Sequence, residues 1–330
     1  NSHLTTKQKR QTMNSKIRKR KKIVLSTLAI AFLGASTSTI ASEQKLHEIS
    51  IVGQKENALD YIPGSTTLIT KETLEEIKPL SLQDALKKTP GIHAVETDGY
   101  GFYPRITIRG IGSDMSKKVL LLEDGAPIAL GPYTDPAAYY HPPVERMEKI
   151  EVLKGSGSLA HGPSTIDGAI NYITKQPTNG SNIIFGAGNL GYKSILGEYG
   201  VVNDNYSLGI SALKKSGDGW RKMPFDVTDA VIKGSMTIND KHSVGVKFTH
   251  YEHEAKHTYL GLTEKEYREN YKQNKAKNDK MFLERQSIDL THQYLLDNDF
   301  VIKTLGYYIM LQEIGGDKTS NTTMILAITT

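Results

Sequence analysis

The stretch that decides the fold is IEVLKGSGSLAHGPSTIDGAINYIT, from Ile150 to Thr174. It opens with an apolar run typical of a β-strand, passes through a glycine-rich turn and ends in a second apolar run. Residues 155–160 fit the GxGxxG/A pattern of dinucleotide-binding loops. That site needs a helix that begins in the turn, and Gly162-Pro163 interrupts such a helix within one or two turns. We therefore interpret the glycines as turn and close-packing residues.

The first 41 residues predict an export signal. Residues 1–22 carry nine Lys or Arg and no Asp or Glu, the apolar stretch Ile23 to Ala35 follows, and small residues end at Ala41, where we expect cleavage. The apolar stretch is too short for the ~20 helical residues that cross a bilayer. Met13 is a second candidate start, which would place residues 1–12 upstream of the translated sequence.

Charge and composition exclude a nucleic-acid-binding surface and every site that needs a cysteine. Nine of the 41 Lys and Arg lie in residues 1–22, so the rest of the chain has 32 basic residues against 36 acidic ones. The body therefore lacks the basic surface of a nucleic-acid-binding protein, and we expect no nucleic-acid partner. The chain has no cysteine, which excludes disulfides, thiolate metal sites and cysteine nucleophiles.

Three regions follow the leader: a polar tail over 42–60, a small α+β domain over 61–177, and a strand-rich region over 178–330. In the α+β domain, Ser81 is a predicted helix cap and Pro90-Gly91 a predicted stop. Apolar runs at 105–108, 119–122 and 150–153 predict strands.

From Ser181 onward, apolar and polar residues alternate, as in His242 to Thr249, where Val and Phe share one face. We predict strands near 182–188, 192–200, 205–215, 229–238, 241–252, 286–295 and 299–312. Short polar turns at 202–205, 238–241 and 296–299 are separated by longer links at 214–229 and about 252–285. Short turns on one side and long loops on the other are typical of an outer-membrane β-barrel. Seven strands do not close such a barrel, so we expect a truncated one. A soluble β-sandwich, whose inner face is also apolar, is the alternative.

One further motif suggests an enzyme. His253 to His257 spells HExxH, which binds zinc when both histidines share one face of a helix. Here the segment follows an alternating strand and opens a polar loop, so we interpret both histidines as loop residues without a catalytic role or a resident metal. No other catalytic constellation can be argued from the spacing, and the chain is not expected to be an enzyme.

Four ordered motifs resemble the plug domain of TonB-dependent outer-membrane receptors. They are LKKTPGI at 86–92, ITIRG at 106–110, LLEDGAPI at 121–128 and the opening stretch, with GAINYITK at 168–175. The resemblance covers residues 48–177 closely and the later strands by pattern only. Within the family, EDGAPIALGPYTDP at 123–136 and HGPSTIDGAINYIT at 161–174 are most similar to the ferric dicitrate receptors. Asp167 departs from the family by replacing a glycine, and Lys154 replaces the arginine of many members.

The resemblance implies an α+β plug domain followed by an antiparallel transmembrane β-barrel, of which the chain holds about seven of 22 strands. It implies residence in the outer membrane after Sec export, contact with outer-membrane lipid, and energy-coupled import of ferric citrate or a similar anionic iron chelate. The chelate would be cargo, and no cofactor is expected. Other cargoes, namely a siderophore, a nickel complex or haem, stay open, as do a soluble ligand-binding module and a non-functional truncated relic.

The resemblance also implies roles for particular residues. The energy-transducing protein TonB, with ExbB and ExbD, would be engaged through a box of extended residues that suits strand addition: Glu48, Ile49, Ser50, Ile51, Val52 and Gly53. Arg109 and Lys154 would latch the plug to the barrel. Cargo would meet outward tips of the plug at Tyr100, Phe102, Tyr103, Arg105, Tyr133 and Thr134, although these aromatic side chains could equally pack between plug and barrel. The plug turns would be formed by Gly110, Gly155, Gly162 and Gly168.

Overall fold

The computed structural model describes residues 64–110, 112, 114–129, 138–162, 164–258, 260–296, 300–315 and 321–329. Side chains are described in these ranges except at 160, 313–315 and 321–329. The predicted TonB box at 48–53, together with Tyr133 and Thr134, lies outside the described residues.

An N-terminal domain is built on a five-stranded sheet in the order β1-β6-β7-β4-β5. β4 and β7 are parallel, whereas the other neighbours are antiparallel. A separate β2–β3 ribbon and two short helices pack beside the sheet. The elements are β1 Ser65–Ile69, α1 Lys71–Ile77, α2 Leu82–Leu86, β2 Ile92–Val95, β3 Arg105–Ile108, β4 Val119–Glu123, β5 Ala126–Pro127, β6 Met147–Lys154 and β7 Gly168–Thr174.

The local predictions for this domain are confirmed. The Ser81 side chain accepts a hydrogen bond from the backbone N–H of Asp84 and so caps α2. The strands predicted at 105–108, 119–122 and 150–153 are β3, β4 and the second half of β6. Every residue of β4 and β7 is buried, which is why both read as continuous apolar runs.

The glycine-rich turn contains a short 3₁₀ stretch, Ser156–His161, and no α-helix, as the interrupted pattern predicted. The four predicted turn glycines all have positive φ, and they are Gly110, Gly155, Gly162 and Gly168. Gly168 is the most constrained, because a Cβ there would overlap the carbonyl oxygen of Leu153 and lie 2.9 Å from Cδ1 of Ile108. Only glycine fits where β7 begins beside β6.

A second sheet has eight antiparallel strands in sequence order, and we call it the strand wall. Its strands are β8 Gly180–Ala187, β9 Lys193–Val202, β10 Tyr206–Gly217, β11 Phe225–Asn239, β12 His242–Ala255, β13 Met281–Leu295, β14 Val301–Gly315 and β15 Asn321–Thr329. The seven predicted strands are all present, and β15 is an eighth. Within the described residues, β8 and β15 are the two edges of the wall.

The two long links between strands contain fewer residues than the sequence predicted. Pairing continues to Gly217 opposite Phe225, so the predicted link at 214–229 shrinks to residues 218–224. Pairing between β12 and β13 likewise continues to Ala255 opposite Met281, which leaves residues 256–280 as the long link. That link contains α3, Glu264–Asn270, with a capping box formed by Thr263 and Glu266. Backbone pairing extends these strands beyond the predicted ends, and the added parts include buried apolar residues such as Phe225, Val227 and Leu283.

The middle of β12 and β13 buries polar residues and exposes apolar ones. Lys247, Thr249, Arg285, Ser287 and Asp289 are buried, with at most 5% of each residue exposed. The outward-facing residues of the same strands include exposed apolar side chains, among them Val246 (46%), Ile288 (44%) and Leu290 (57%). A soluble sandwich buries its apolar face, so this arrangement contradicts the sandwich alternative and fits an outer-membrane wall around a polar interior.

Among the described residues, no helix has the length and apolar composition needed to cross a membrane.

Candidate functional site

The site lies where the β4–β5 turn of the N-terminal domain meets the inner face of the strand wall. Asp124 and Gly125 form this turn with φ values of 48° and 84°, the left-handed pair that an Asp-Gly hairpin favours. The turn presents two carboxylates to Lys247 on β12, whose Nζ lies 3.2 Å from Glu123 Oε1 and 2.7 Å from Asp124 Oδ2. Lys247 also pairs with Asp289 of the neighbouring strand at 2.9 Å.

A second set of ion pairs precedes β6. Arg146 lies 3.4 Å from Glu123 and 3.4 Å from Asp229 on β11, and it donates a short hydrogen bond to the Tyr140 hydroxyl. Next to it, Lys215 on β10 donates to both oxygens of Glu145, at 2.9 and 3.0 Å. The N-terminal domain is therefore joined to three successive strands of the wall, β10 to β12, by buried charge pairs.

The carboxyl groups of Glu123 and Asp124 stay ionised although they are buried, because cations lie beside them. Burial opposes ionisation of Glu123, but Arg146 and Lys247 outweigh it and lower the pKa of that carboxyl to about 2. Burial likewise opposes ionisation of Asp124, and Lys233 and Lys247 hold its pKa well below its usual range. The Asp124 carboxylate also accepts from the backbone N–H and the hydroxyl of Thr174, at 2.9 and 2.6 Å. The β4–β5 turn therefore carries two ionised carboxylates that pair with Lys233 and Lys247 of the strand wall.

An aromatic cluster lies beside this charged interface. Tyr100 and Phe102 pack edge-on against Phe225, with ring centroids 4.1 and 4.8 Å apart. The loop that carries them is shaped by Asp98, whose carboxylate accepts the backbone N–H groups of Tyr100, Gly101 and Phe102. Burial raises the pKa of Asp98 even though these bonds favour its charged form. These aromatic residues pack between the domain and the wall, the second of the two roles that the sequence left open.

The two histidines of the HExxH motif belong to the same cluster. The Tyr103 hydroxyl lies 2.7 Å from Nδ1 of His253, and the two rings are stacked 5.1 Å apart. His257 contacts the other side of the cluster, with its ring 5.2 Å from Tyr103. The prediction that both are loop residues is wrong for His253, because β12 continues to Ala255 and the side chain points inward. The motif lies on a strand and its following link, so it does not have the helical geometry of a zinc protease.

The remaining predicted site residues lie elsewhere on the N-terminal domain. Arg109 is exposed, and its Nη2 lies 3.5 Å from the carbonyl oxygen of Lys154. The Lys154 ammonium donates to Thr67 and to the carbonyl of Pro90. Both side chains thus bond within the domain, and the described ion pairs to the wall come from other residues, so the latch role stays a prediction. Arg105 is exposed on β3, and its cargo role also stays a prediction.

The comparisons with known proteins fit this geometry. Residues 58–169 match the model of the TonB-dependent receptor plug domain. Residues 58–169 are a TonB-dependent receptor plug domain. The ferric citrate transporter FecA in its unliganded form superposes with a TM-score of 0.74 at 19% identity, over 86% of this chain and 46% of that one. At this identity the likeness shows the fold alone.

Two curated relatives are vitamin B12 transporters named BtuB. The one from Vibrio vulnificus is 34% identical over 170 residues, which cover 49% of this chain and 27% of that protein. The one from Photobacterium profundum is 27% identical over 225 residues, covering 66% of this chain and 36% of that protein. The chain thus spans about a third or less of the lengths of these relatives.

The charged interface between the plug and the strand wall was not predicted from the sequence. Its plug half stands in the EDG motif at 123–125, which was noted only as a sign of the family. Its wall half had a visible signal: Lys247 and Asp289 occupy polar positions of alternating strands. Which of those positions face a partner of opposite charge depends on how the plug is seated, and spacing along the sequence does not encode that.

Proposed function

We propose that this chain is the plug and the first part of the barrel of an outer-membrane receptor that imports a metal chelate or a vitamin with energy from TonB. The observation that carries the proposal is the strand wall, which exposes apolar residues such as Val246, Ile288 and Leu290 while the charged residues Lys247, Arg285 and Asp289 of the same strands are buried. An exposed apolar band suits outer-membrane lipid, and a plugged polar interior suits gated passage of a polar cargo. The predicted box at 48–53 would recruit TonB by strand addition.

For the cargo, we propose ferric citrate or a similar anionic iron chelate. The inner face of the wall carries Lys215, Lys233, Lys247 and Arg285, and a carboxylate-rich cargo can pair with such cations in a polar lumen. A corrinoid is the second candidate, because the curated relatives over this region are B12 transporters.

The experiment is uptake of radioactive iron(III) dicitrate and of labelled cyanocobalamin by Gram-negative cells that lack their own receptors for both. The cells express the native gene that carries this chain, and the matched control lacks residues 48–53. Uptake of ferric citrate that disappears in the control supports the proposal. Uptake of cyanocobalamin alone would establish the corrinoid reading instead, and uptake that persists without the box would contradict dependence on TonB.

The location is tested separately by membrane fractionation. We expect the receptor in the outer membrane, with the mobility shift on heating that folded barrels show. Recovery in the soluble periplasmic fraction would contradict the proposal.

A further inference from the structure

Two lysines of the strand wall face each other directly across a strand pair. Lys233 on β11 is opposite Lys247 on β12 in the register, and both ammonium groups reach the plug. Like charges directly opposite each other destabilise a strand pair, so this position needs an anion that both lysines can share.

The shared anion belongs to the plug. Oδ2 of Asp124 lies 2.7 Å from Nζ of Lys247 and 4.0 Å from Nζ of Lys233. Glu123, the adjacent plug residue, adds a second carboxylate at 3.2 Å from Lys247. Only Asp289 compensates Lys247 from the described wall itself. Moving the plug away would therefore take two of the three carboxylates from Lys247 and leave both lysines facing the lumen.

The surroundings suit an oxyanion. At the next inward-facing pair of β12 and β13, Thr249 and Ser287 share a hydrogen bond of 2.7 Å, and Nη1 of Arg285 lies 3.2 and 3.1 Å from their oxygens. Hydroxyls and a guanidinium thus continue the donor surface beyond the lysines. Carboxylates bind to such groups through short, charge-assisted hydrogen bonds.

We infer that Lys233 and Lys247 form an anion-binding site on the lumen wall, which Asp124 occupies while the plug is docked and a carboxylate of the cargo occupies once the plug is displaced. This inference rests on the proposed function and makes it more specific. One carboxylate replaces another, so an anionic chelate keeps the lysines paired during passage. A neutral cargo offers no such exchange, so the lysine pair selects for anionic cargo.

The first test does not depend on uptake. The purified receptor is placed in planar bilayers, its plug is displaced with urea, and the anion-to-cation permeability ratio is obtained from the reversal potential in a salt gradient. In the Lys233→Gln/Lys247→Gln variant we expect the ratio to fall on the order of tenfold, as losing charge-assisted contacts implies. Lys214→Gln is the matched control, since Lys214 is exposed and pairs with Asp226 on the outward face. An unchanged ratio in the double variant would overturn the inference.

A second variant covers the case in which the neutralised receptor fails to assemble. Lys233→Gln alone leaves Lys247 paired with Glu123, Asp124 and Asp289, so these plug–wall ion pairs are kept. We expect this receptor to fold and to lose part of its anion preference on plug displacement. Undiminished preference would count against the site.

Uptake then separates the inference from the proposed function. Iron(III) dicitrate import should slow on the order of tenfold in the Lys233→Gln/Lys247→Gln variant relative to the Lys214→Gln control. Equal import by wild type and variant would leave the receptor function standing and reject the lysine site. Absence of import by wild type would reject the proposed cargo, while the bilayer ratio would still decide whether the lysines bind anions.

Discussion

The hydroxyl of Tyr103 on the plug lies 2.7 Å from Nδ1 of His253 on β12, in a contact from which both residues exclude water. This hydrogen bond lies near the ion pairs, and it joins the aromatic loop of the plug to the strand wall. One partner stands in the plug and the other 150 residues later, so the bond exists only when the plug is seated.

We expect Tyr103→Phe to destabilise the seated plug by about 1–3 kcal/mol, because it leaves a buried ring nitrogen of His253 without its hydrogen bond. The measurement is the urea midpoint for plug release, followed by protease sensitivity. Tyr199→Phe, which changes a 58% exposed tyrosine on β9, is the control and should not shift the midpoint. Equal midpoints for both variants would show that the hydrogen bond contributes nothing.

Leu290→Lys should impair insertion of the barrel. Leu290 is 57% exposed on the outward face of β13, and a lysine near the membrane midplane costs about 2–4 kcal/mol. Folding into lipid vesicles, followed by the mobility shift on heating, measures the effect. Leu260→Lys is closely matched, because Leu260 is 59% exposed but lies in the long link. If both leucines tolerate lysine equally, the outward face of β13 does not contact lipid.

Gly168→Ala should disrupt the plug. The glycine has φ of 147°, and a methyl group there would meet the Leu153 carbonyl and Ile108, so strain of about 1–3 kcal/mol adds to a steric overlap. Thermal unfolding and protease sensitivity of the purified receptor report the loss. Gly197→Ala serves as the control, because a Cβ at Gly197 has no atom within 4 Å. A plug that unfolds at the same temperature in both variants would contradict the packing described for β7.

Acid should weaken the seating of the plug through Glu123. Its pKa is lowered to about 2 in the folded receptor from a usual 4.5, so its contribution is complete above pH 4.5 and is lost as the pH falls toward 2. Urea midpoints across this range should decrease in wild type. Glu123→Gln should have a lower midpoint at neutral pH and a weaker dependence on pH below 4.5.

The exposed Glu264 on α3 provides the control, since Glu264→Gln should keep the wild-type profile. If Glu123→Gln kept the full acid dependence of wild type, other carboxyl groups would have to be responsible.

His141 adds a separate loss of stability at higher pH. Burial lowers the pKa of His141 to about 3 in the folded receptor, so the unfolded chain binds a proton at this residue first as the pH falls below 6.5, and the folded state loses stability. His141→Phe should make that earlier part of the decline smaller.

Local signals in the sequence were sufficient for much of the fold. The Ser81 cap and the alternation in β12 each depend on neighbours a few residues away, and each forms as expected. Alternation alone could not decide which face is buried, because a sandwich and a barrel share that pattern. Turn spacing favoured the barrel, and the exposed Val246 and Leu290 confirm it.

The ends of the strands and the candidate site depended on contacts that are distant in sequence. The pair Gly217 and Phe225 extends β10 and β11 beyond their predicted ends, and the buried Phe225 and Val227 continue the alternation of β11 into the segment that was predicted as a link. His253 looks like a loop residue until Tyr103 is placed against it. Lys247 likewise contacts Glu123 and Asp124, which lie 124 and 123 positions away along the chain. Contacts of this kind depend on how the plug docks against the strand wall, and the patterns in a single sequence do not record that docking.

The position of β1 at the edge of the plug sheet has a mechanical consequence. β1 is joined along its five residues to β6 alone, and it directly follows the chain that leads from the predicted TonB box. A load applied at Gly64 would reach this strand before any other part of the described sheet. Detaching β1 would break no pairing among the four remaining strands, so the first step of unravelling can be small, local and reversible.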